Sequence, residues 1–288
     1  EAFKGGEIDT WRETNAAKWA RDYDFPAVKS GAVVKSEIPH QRPSGIAGLV
    51  MNTRKPLFTD WRVREAMTLA FNFEFINATL NNGTEPRITS YFSNSVLGLK
   101  PGPAEGKVAD LLAPFAADLI PGTIEGYALP VSDGSELNRA NTRKALKLLN
   151  EAGWKVDDAG VLKDAQGRPF RFEILLKQGA AETSSVVDIY VEALSRLGIF
   201  PRVTSVDDAQ YQARTNSYDF DMAWYLSATG LALSLSPGNE QMLYWGARGV
   251  TEPGSRNWMG MNVPAAEAMV QAMLNARDPA DFTAAVQA

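Results

Sequence analysis

From residue 138 onward the chain alternates between two hydrophobic periods, and that alternation narrows the folds open to it. Ala145, Leu146, Leu148 and Leu149 recur at helical spacing, with Asn141 in capping position and Gly153 as the stop. Val161-Leu162 and Pro169–Leu176 flank the turn sequence Asp164-Ala-Gln-Gly and predict a hairpin. Within its second arm, Phe170, Phe172, Ile174 and Leu176 alternate as in a half-buried strand. Ser184–Leu197 has the pattern of an amphipathic helix stopped by Gly198. A strand over Ile199–Val206, a helix over Asp208–Asn216 and a strand over Phe220–Leu226 follow. Strand, helix, strand, helix, strand is the signature of an α/β protein whose crossovers pack helices on a sheet.

The amino-terminal half is less regular. Residues 1–25 are polar and aromatic, with Ala16–Arg21 a short helix candidate. Pro26, Gly31, Pro39, Pro43 and Gly45 make residues 26–45 loop-like around a short Ala32-Val33-Val34 strand. Ile46–Met51 fits a buried strand. Asp60 is placed to cap one long helix that carries Val63, Met67, Ala70, Phe71, Phe75 and Ile76 inward and closes at Asn82-Gly83. Residues 84–137 are dense in proline and glycine, which predicts an irregular excursion with one helix near Ala109–Asp118. Tyr91, Phe92, Phe115 and Tyr127 within it favour a packed loop. The chain lacks an initiator Met and stops inside a helical pattern at Asp278–Ala288, so it reads as a piece of a longer protein.

Two absences exclude most familiar chemistries. The 288 residues contain no cysteine and one histidine, His40. Thiolate nucleophiles, disulfides, iron–sulfur clusters and thiolate zinc sites are thereby removed, and a His base has one candidate. With 29 Lys and Arg against 34 Asp and Glu, the net charge of −5 argues against nucleic acid as a partner. The uncharged stretch Met222–Gly238 is shorter than a spanning helix and is broken by Ser227, Thr229, Gly230, Ser234, Ser236 and Pro237. No Gly-x-Gly-x-x-Gly, phosphate loop, Gly-x-Ser-x-Gly or His-Glu-x-x-His is present. No catalytic residue, metal or cofactor is assigned. Asp157-Asp158 and Asp207-Asp208 sit where aspartate caps backbone donors. Asp219 and Asp221 share one face of a strand start and, with Glu240, form the alternative of a hydrolase acting on a peptide or glycan. His40 has no nearby nucleophile and reads as a hydrogen-bonded loop residue.

The segment between Tyr218 and Trp258 stands apart. Tyr218, Phe220, Trp224, Tyr225, Tyr244, Trp245 and Trp258 fall within it, and between Asp221 and Glu252 the only charges are Glu240 and Arg248. Ser234-Leu-Ser-Pro-Gly-Asn-Glu-Gln adds neutral polar groups directly after an apolar strand, where α/β sheets collect ligands. Aromatic walls with a few hydrogen-bonding groups suit a peptide or sugar-like ligand. Trp224 is balanced between core and pocket, whereas Tyr244 and Trp245 favour pocket or rim. From loop position and chemistry the contact candidates are Arg42, Asn52, Tyr91, Asn94, Trp224, Ser234, Ser236, Asn239, Trp245 and Arg256.

Several segments together resemble the substrate-binding proteins of peptide ABC transporters, the oligopeptide/dipeptide-binding family 5, and most of all its YejA-like branch. They are Glu1-Ala-Phe-Lys-Gly-Gly-Glu-Ile-Asp, Ile38-Pro-His-Gln-Arg-Pro-Ser-Gly, the run from Met51 to Ala66, the run from Asn138 to Trp154, Tyr218-Asp-Phe-Asp-Met, and Ser234 to Gln241. The resemblance implies a lobe of a type II, Venus-flytrap periplasmic binding protein, with a mixed sheet flanked by helices. Residues 1–45 would be the end of lobe I and the inter-lobe crossing, and 46–288 a truncated lobe II. It also implies a non-enzymatic, monomeric, periplasmic protein whose partners are a peptide ligand and ABC permease subunits at the membrane. Relatives that bind dipeptides carry an acid before the proline-containing turn to pair with the ligand's amino terminus. Leu233-Ser-Leu-Ser-Pro has none, which points to a modified, longer or differently oriented peptide.

Overall fold

The computed structural model describes residues 2–13, 15–227 and 234–288. In chain order the elements are α1 (Ala16–Arg21), α2 (Pro26–Lys29), β1 (Ile46–Met51), α3 (Trp61–Ala70), α4 (Phe73–Asn81), α5 (Gly106–Leu112), α6 (Thr123–Gly126) and α7 (Arg139–Glu151). Then come β2 (Lys155–Val156), β3 (Leu162–Lys163), β4 (Glu173–Lys177), α8 (Ala181–Ser195), β5 (Arg202–Val206), α9 (Asp208–Asn216) and β6 (Met222–Ser227). The chain closes with α10 (Gln241–Trp245), α11 (Pro264–Asn275) and α12 (Pro279–Gln287).

The main sheet has the order β1-β6-β4-β5. β4 runs parallel to both β5 and β6, while β1 lies antiparallel on β6 from Ile46 opposite Ser227 to Met51 opposite Met222. The sheet is therefore mixed, with its crossovers made by α8 and α9. Side chains alternate between its faces. Leu49, Met51, Ile174, Leu176, Met222 and Trp224 pack on one side against Val63, Ala66 and Met67 of α3, Ala145 and Leu149 of α7, and Val187, Tyr190 and Leu194 of α8. On the other face, Leu175 and Ala223 join Tyr218, Phe220, Tyr211 and Trp258. A third cluster, around Val270, Met273 and Ala285, holds α11 and α12 together and reaches Met242 and Trp245.

Several local expectations are corrected. The long helix from Asp60 divides at Phe71-Asn72, because Asn72 Oδ1 accepts from the Phe75 amide and caps a second helix. The stop at Asn82-Gly83 stands, both in left-handed backbone. Asn138, not Asn141, begins α7; Asn141 is buried inside it and donates to the Val131 carbonyl. The Asp164 turn is present, its Oδ1 accepting from the Gln166 and Arg168 amides. Beyond that turn, however, the second arm leaves the hairpin. β3 pairs with β2, and Glu173–Lys177 enters the main sheet between β5 and β6. As a central strand, β4 is buried on both faces. Residues 32–34 form no strand, and the 84–137 excursion holds two α-helices where the sequence pattern predicts one, α5 starting earlier at Gly106 and α6 following at Thr123.

At the amino end of β4 the buried Glu173 carboxylate lies between two guanidinium groups, 2.5 Å from Arg214 Nη2 and 2.8 Å from Arg202 Nη2. Burial alone would raise its pKa. Hydrogen bonds from Arg214 and Thr204 and the charges of both arginines outweigh burial and hold it below the usual carboxylate range. A carboxyl whose pKa falls on folding adds stability above its unfolded value of about 4.3 and loses it as pH drops through the folded value. The urea midpoint should therefore fall as pH is lowered from 5 to 3. Glu173→Gln should flatten that part of the profile while lowering the midpoint at pH 7.

Candidate functional site: an aromatic wall beyond β6

Tyr225 leaves β6 on the face that carries Trp258, with ring centroids 5.1 Å apart at 72°. Trp258 also meets Tyr211 at 6.2 Å and Phe220 at 5.9 Å. The Tyr225 hydroxyl donates to the Arg256 carbonyl at 3.3 Å. Next to these rings stands a second group. Tyr91 packs edge-on against Trp245 at 4.4 Å and against Tyr244 at 6.4 Å. Trp245 Nε1 donates to Gln241 Oε1 at 3.1 Å, which sets the indole within its short helix. The Tyr91 hydroxyl is buried against Tyr225. Burial first, and then Tyr225 and Tyr244, push its phenol far above the usual value, so it stays protonated and neutral. The wall is apolar, and the hydroxyls of Tyr91 and Tyr225 are turned inward. Such a surface offers ring faces on which a ligand can stack and no group poised to transfer a proton.

One cation fixes the loop behind this wall. The Arg54 guanidinium donates to the carbonyls of Gly249, Val250, Asn257 and Trp258 and to Asn52 Oδ1, and it stacks 3.7 Å above the Tyr218 ring. Asn52, fully buried, donates from Nδ2 to the Tyr218 and Phe220 carbonyls. Asn257, also fully buried, donates to the Gly246 and Met261 carbonyls. Together they tie the end of β1 to the start of β6 and to residues 246–261.

The sequence candidates separate accordingly. Tyr91 and Trp245 are brought together, and Arg256 lends its backbone to the same wall. Asn52 is engaged wholly inside the protein. Trp224 is partly buried against the α3/α7/α8 core, because it shares the Met222 side of β6. Asn94 and Arg42 meet elsewhere, where Asn94 Nδ2 donates to the His40 and Arg42 carbonyls. Ser234, Ser236 and Asn239 are exposed on the approach to α10, with the Ser236 amide donating to Ser234 Oγ at 2.8 Å. The stretch before them, residues 228–233, lies outside the described residues. The acidic alternative is dispersed: Asp219 pairs with Arg214, Asp221 with Lys55 and the Glu173 amide, and Glu240 accepts from the Gly238 amide. Asp207 caps α9, Asp157 accepts from the Ala159 and Val161 amides, and His40 Nδ1 accepts from the Arg42 amide, as the sequence suggested. Among the described residues no His, Asp and Glu cluster is arranged to hold a metal ion, and no helix is long and apolar enough to cross a membrane. Sequence reasoning missed Arg54 and Asn257, since nothing near either in the chain signals a partner some two hundred residues away.

Residues 1–245 match the bacterial extracellular solute-binding proteins, family 5 Middle. The chain belongs to this family. Among relatives of this family 5 chain, the peptidoglycan-binding protein YepA of Agrobacterium fabrum is 38% identical over 299 residues, covering 100% of this chain and 47% of YepA. YejA of the same organism is 35% identical over 291 residues, covering 100% of this chain and 46% of YejA, which places the chain in the YejA-like branch. The chain thus spans about half the length of the relatives it matches. Among solved structures, the oligopeptide-binding protein AppA of Bacillus subtilis, in complex with a nonapeptide, superposes with a TM-score of 0.69. The match covers 99% of this chain and 48% of AppA at 18% identity. The fold is that of a periplasmic binding protein, α/β with a mixed sheet flanked by helices. The comparisons lend no support to a hydrolase.

Proposed function

We propose that this chain forms the second lobe, with the crossing from the first, of a two-lobed binding protein that closes over a peptide and delivers it to an ABC permease. Residues 1–45 are the end of lobe I and the crossing, and residues 46–288 belong to lobe II. The protein works outside the cytoplasm as a monomeric, non-catalytic importer component. The observation that carries this reading is the aromatic, uncharged wall beyond β6 in a chain of the solute-binding family 5. Ligand contacts with both lobes favour the closed state, so closure is driven by differential binding and not by chemistry. The wall offers no carboxylate for a free amino terminus: Glu240, the nearest acid in sequence to Tyr244, is turned onto the Gly238 amide. This supports a ligand held by stacking and neutral hydrogen bonds. A cell-wall peptide fits that description, and the relative named a peptidoglycan-binding protein supports it.

Calorimetric titration of the full-length protein with defined peptides, tripeptide to nonapeptide, and with peptidoglycan-derived peptides tests the proposal. Saturable binding with a Kd in the micromolar range or tighter is expected for at least one class. The isolated 288-residue chain should bind weakly or not at all, because it holds half of the cleft. Absence of heat with every peptide class on the full-length protein overturns the reading.

A further inference from the structure

We infer that the loop over residues 88–99 is a rigid strut joining the inter-lobe crossing to the aromatic wall, with Asn94 as its positioning residue. The inference rests on reading residues 38–45 as the crossing. Most of that segment is exposed, Ile38 by 81%, with Pro43 and Gly45 its two buried residues. Among the described residues, the hydrogen bonds that join His40–Ser44 to the rest of the lobe end on two consecutive loop residues. Asn94 Nδ2 donates one proton to the His40 carbonyl and one to the Arg42 carbonyl, each at 3.0 Å, and the Ser44 amide donates to the Ser93 carbonyl at 2.9 Å. Asn94 takes left-handed backbone, φ 67°, which asparagine tolerates better than most residues and which aims its amide back at the crossing.

Three residues earlier the same loop touches the wall, where the Tyr91 ring lies edge-on to Trp245 and Tyr244. Between these ends the loop is braced so that it moves as one body. Ser93 Oγ accepts from the Thr89 and Ser90 amides, Ser95 Oγ donates to the Phe92 carbonyl, and Ser90 Oγ accepts from the Leu99 amide. Phe92 and Leu97 anchor it, 8% and 3% exposed. A Cβ at Gly98 would stand 3.0 Å from the Phe92 carbonyl oxygen, so the turn is closed on itself. Rotation about the crossing therefore displaces Tyr91 against Trp245 instead of being absorbed by slack chain. By linkage, a ligand that fixes the wall also biases the crossing.

The test needs no ligand, so its failure is separate from failure of the peptide reading. Full-length protein is labelled with 5-fluorotryptophan, and the Trp245 resonance is assigned with Trp245→Phe. Asn94→Gly keeps the left-handed backbone and removes both donors. It should shift or broaden the Trp245 resonance and raise amide exchange at Ser44 about tenfold, leaving Trp154, packed on Phe170, in place. Asn94→Asp, which sets a carboxylate against two carbonyl oxygens, should do the same. In the reverse direction, Tyr91→Leu should raise Ser44 exchange although the Ser44 amide is bonded to Ser93 and not to residue 91. An unmoved Trp245 resonance beside faster Ser44 exchange, or unchanged Ser44 exchange in Tyr91→Leu, overturns the strut; the second arm decides the matter if the Asn94 variants do not fold.

Discussion

Arg54→Met is expected to lower the unfolding free energy by about 3–4 kcal/mol. The substitution keeps the length and apolar stem of the side chain and removes its five donors. Four backbone carbonyls, those of Gly249, Val250, Asn257 and Trp258, then lose a charge-assisted partner at 2.6–3.1 Å. An unsatisfied buried acceptor costs about 1–3 kcal/mol, but water admitted to the vacated site recovers part of this, so the losses do not simply add. The stacking on Tyr218 is worth about 1 kcal/mol more. Arg54→Lys keeps the charge but not the planar fork and should cost about 2 kcal/mol. Urea unfolding followed by circular dichroism checks both values. Faster amide exchange at Thr53, whose amide donates to the Met259 carbonyl, would show that residues 246–261 have come loose. An Arg54→Met midpoint equal to that of the parent would mean that the guanidinium bonds do not hold this loop.

Trp245→Ala in the full-length protein is expected to weaken peptide binding by about thirtyfold and to lower stability by about 2 kcal/mol. The indole is half-buried between Tyr91 and Gln241 and packs on the α11/α12 cluster, so its removal opens space on one side and bares a polar group on the other. Tryptophan truncation at a fully packed site costs about 3–5 kcal/mol, and partial exposure reduces that. A stacking anchor in a recognition surface is worth about 2 kcal/mol, which converts to the thirtyfold change. Trp245→Phe restores the stack without the Nε1 donor and should recover most of the affinity. Titration calorimetry and thermal unfolding on the same preparations separate the two effects. Unaltered affinity in Trp245→Ala, with the expected loss of stability, would move the ligand off this wall.

Much of the fold is legible along the chain because its signals are local. The periodicity of α7, α8 and α9, and the left-handed residues Asn82, Gly153 and Gly198, lie within a few residues of what they determine. The division of α3 from α4 was not legible, since Asn72 can cap a helix or ride within one. Its side chain also accepts from Ser132 Oγ and donates to the Ser135 carbonyl, and those partners are some sixty residues away. Strand β4 shows the same limit. Alternation at Phe170, Phe172, Ile174 and Leu176 describes one face, while Leu175 is buried on the other by Ala223, Tyr218 and Phe220. Local pattern cannot report on a neighbour supplied by a distant segment.

The candidate site divides along that line. Residue order alone establishes an α/β chain without thiol or multiple-histidine chemistry, and a segment from Tyr218 to Trp258 crowded with aromatic residues and nearly free of charge between Asp221 and Glu252. Those are properties of composition and short-range order, which survive without coordinates. Folding in three dimensions is what sets Tyr91 against Trp245, turns Trp224 into the core, and assigns Asn52 and Arg54 to the loop behind the wall. Each depends on which face of a strand a side chain leaves and on which loop the sheet order brings beside it. Hydrogen bonds and ring contacts act over a few ångströms of space, whatever the separation along the chain.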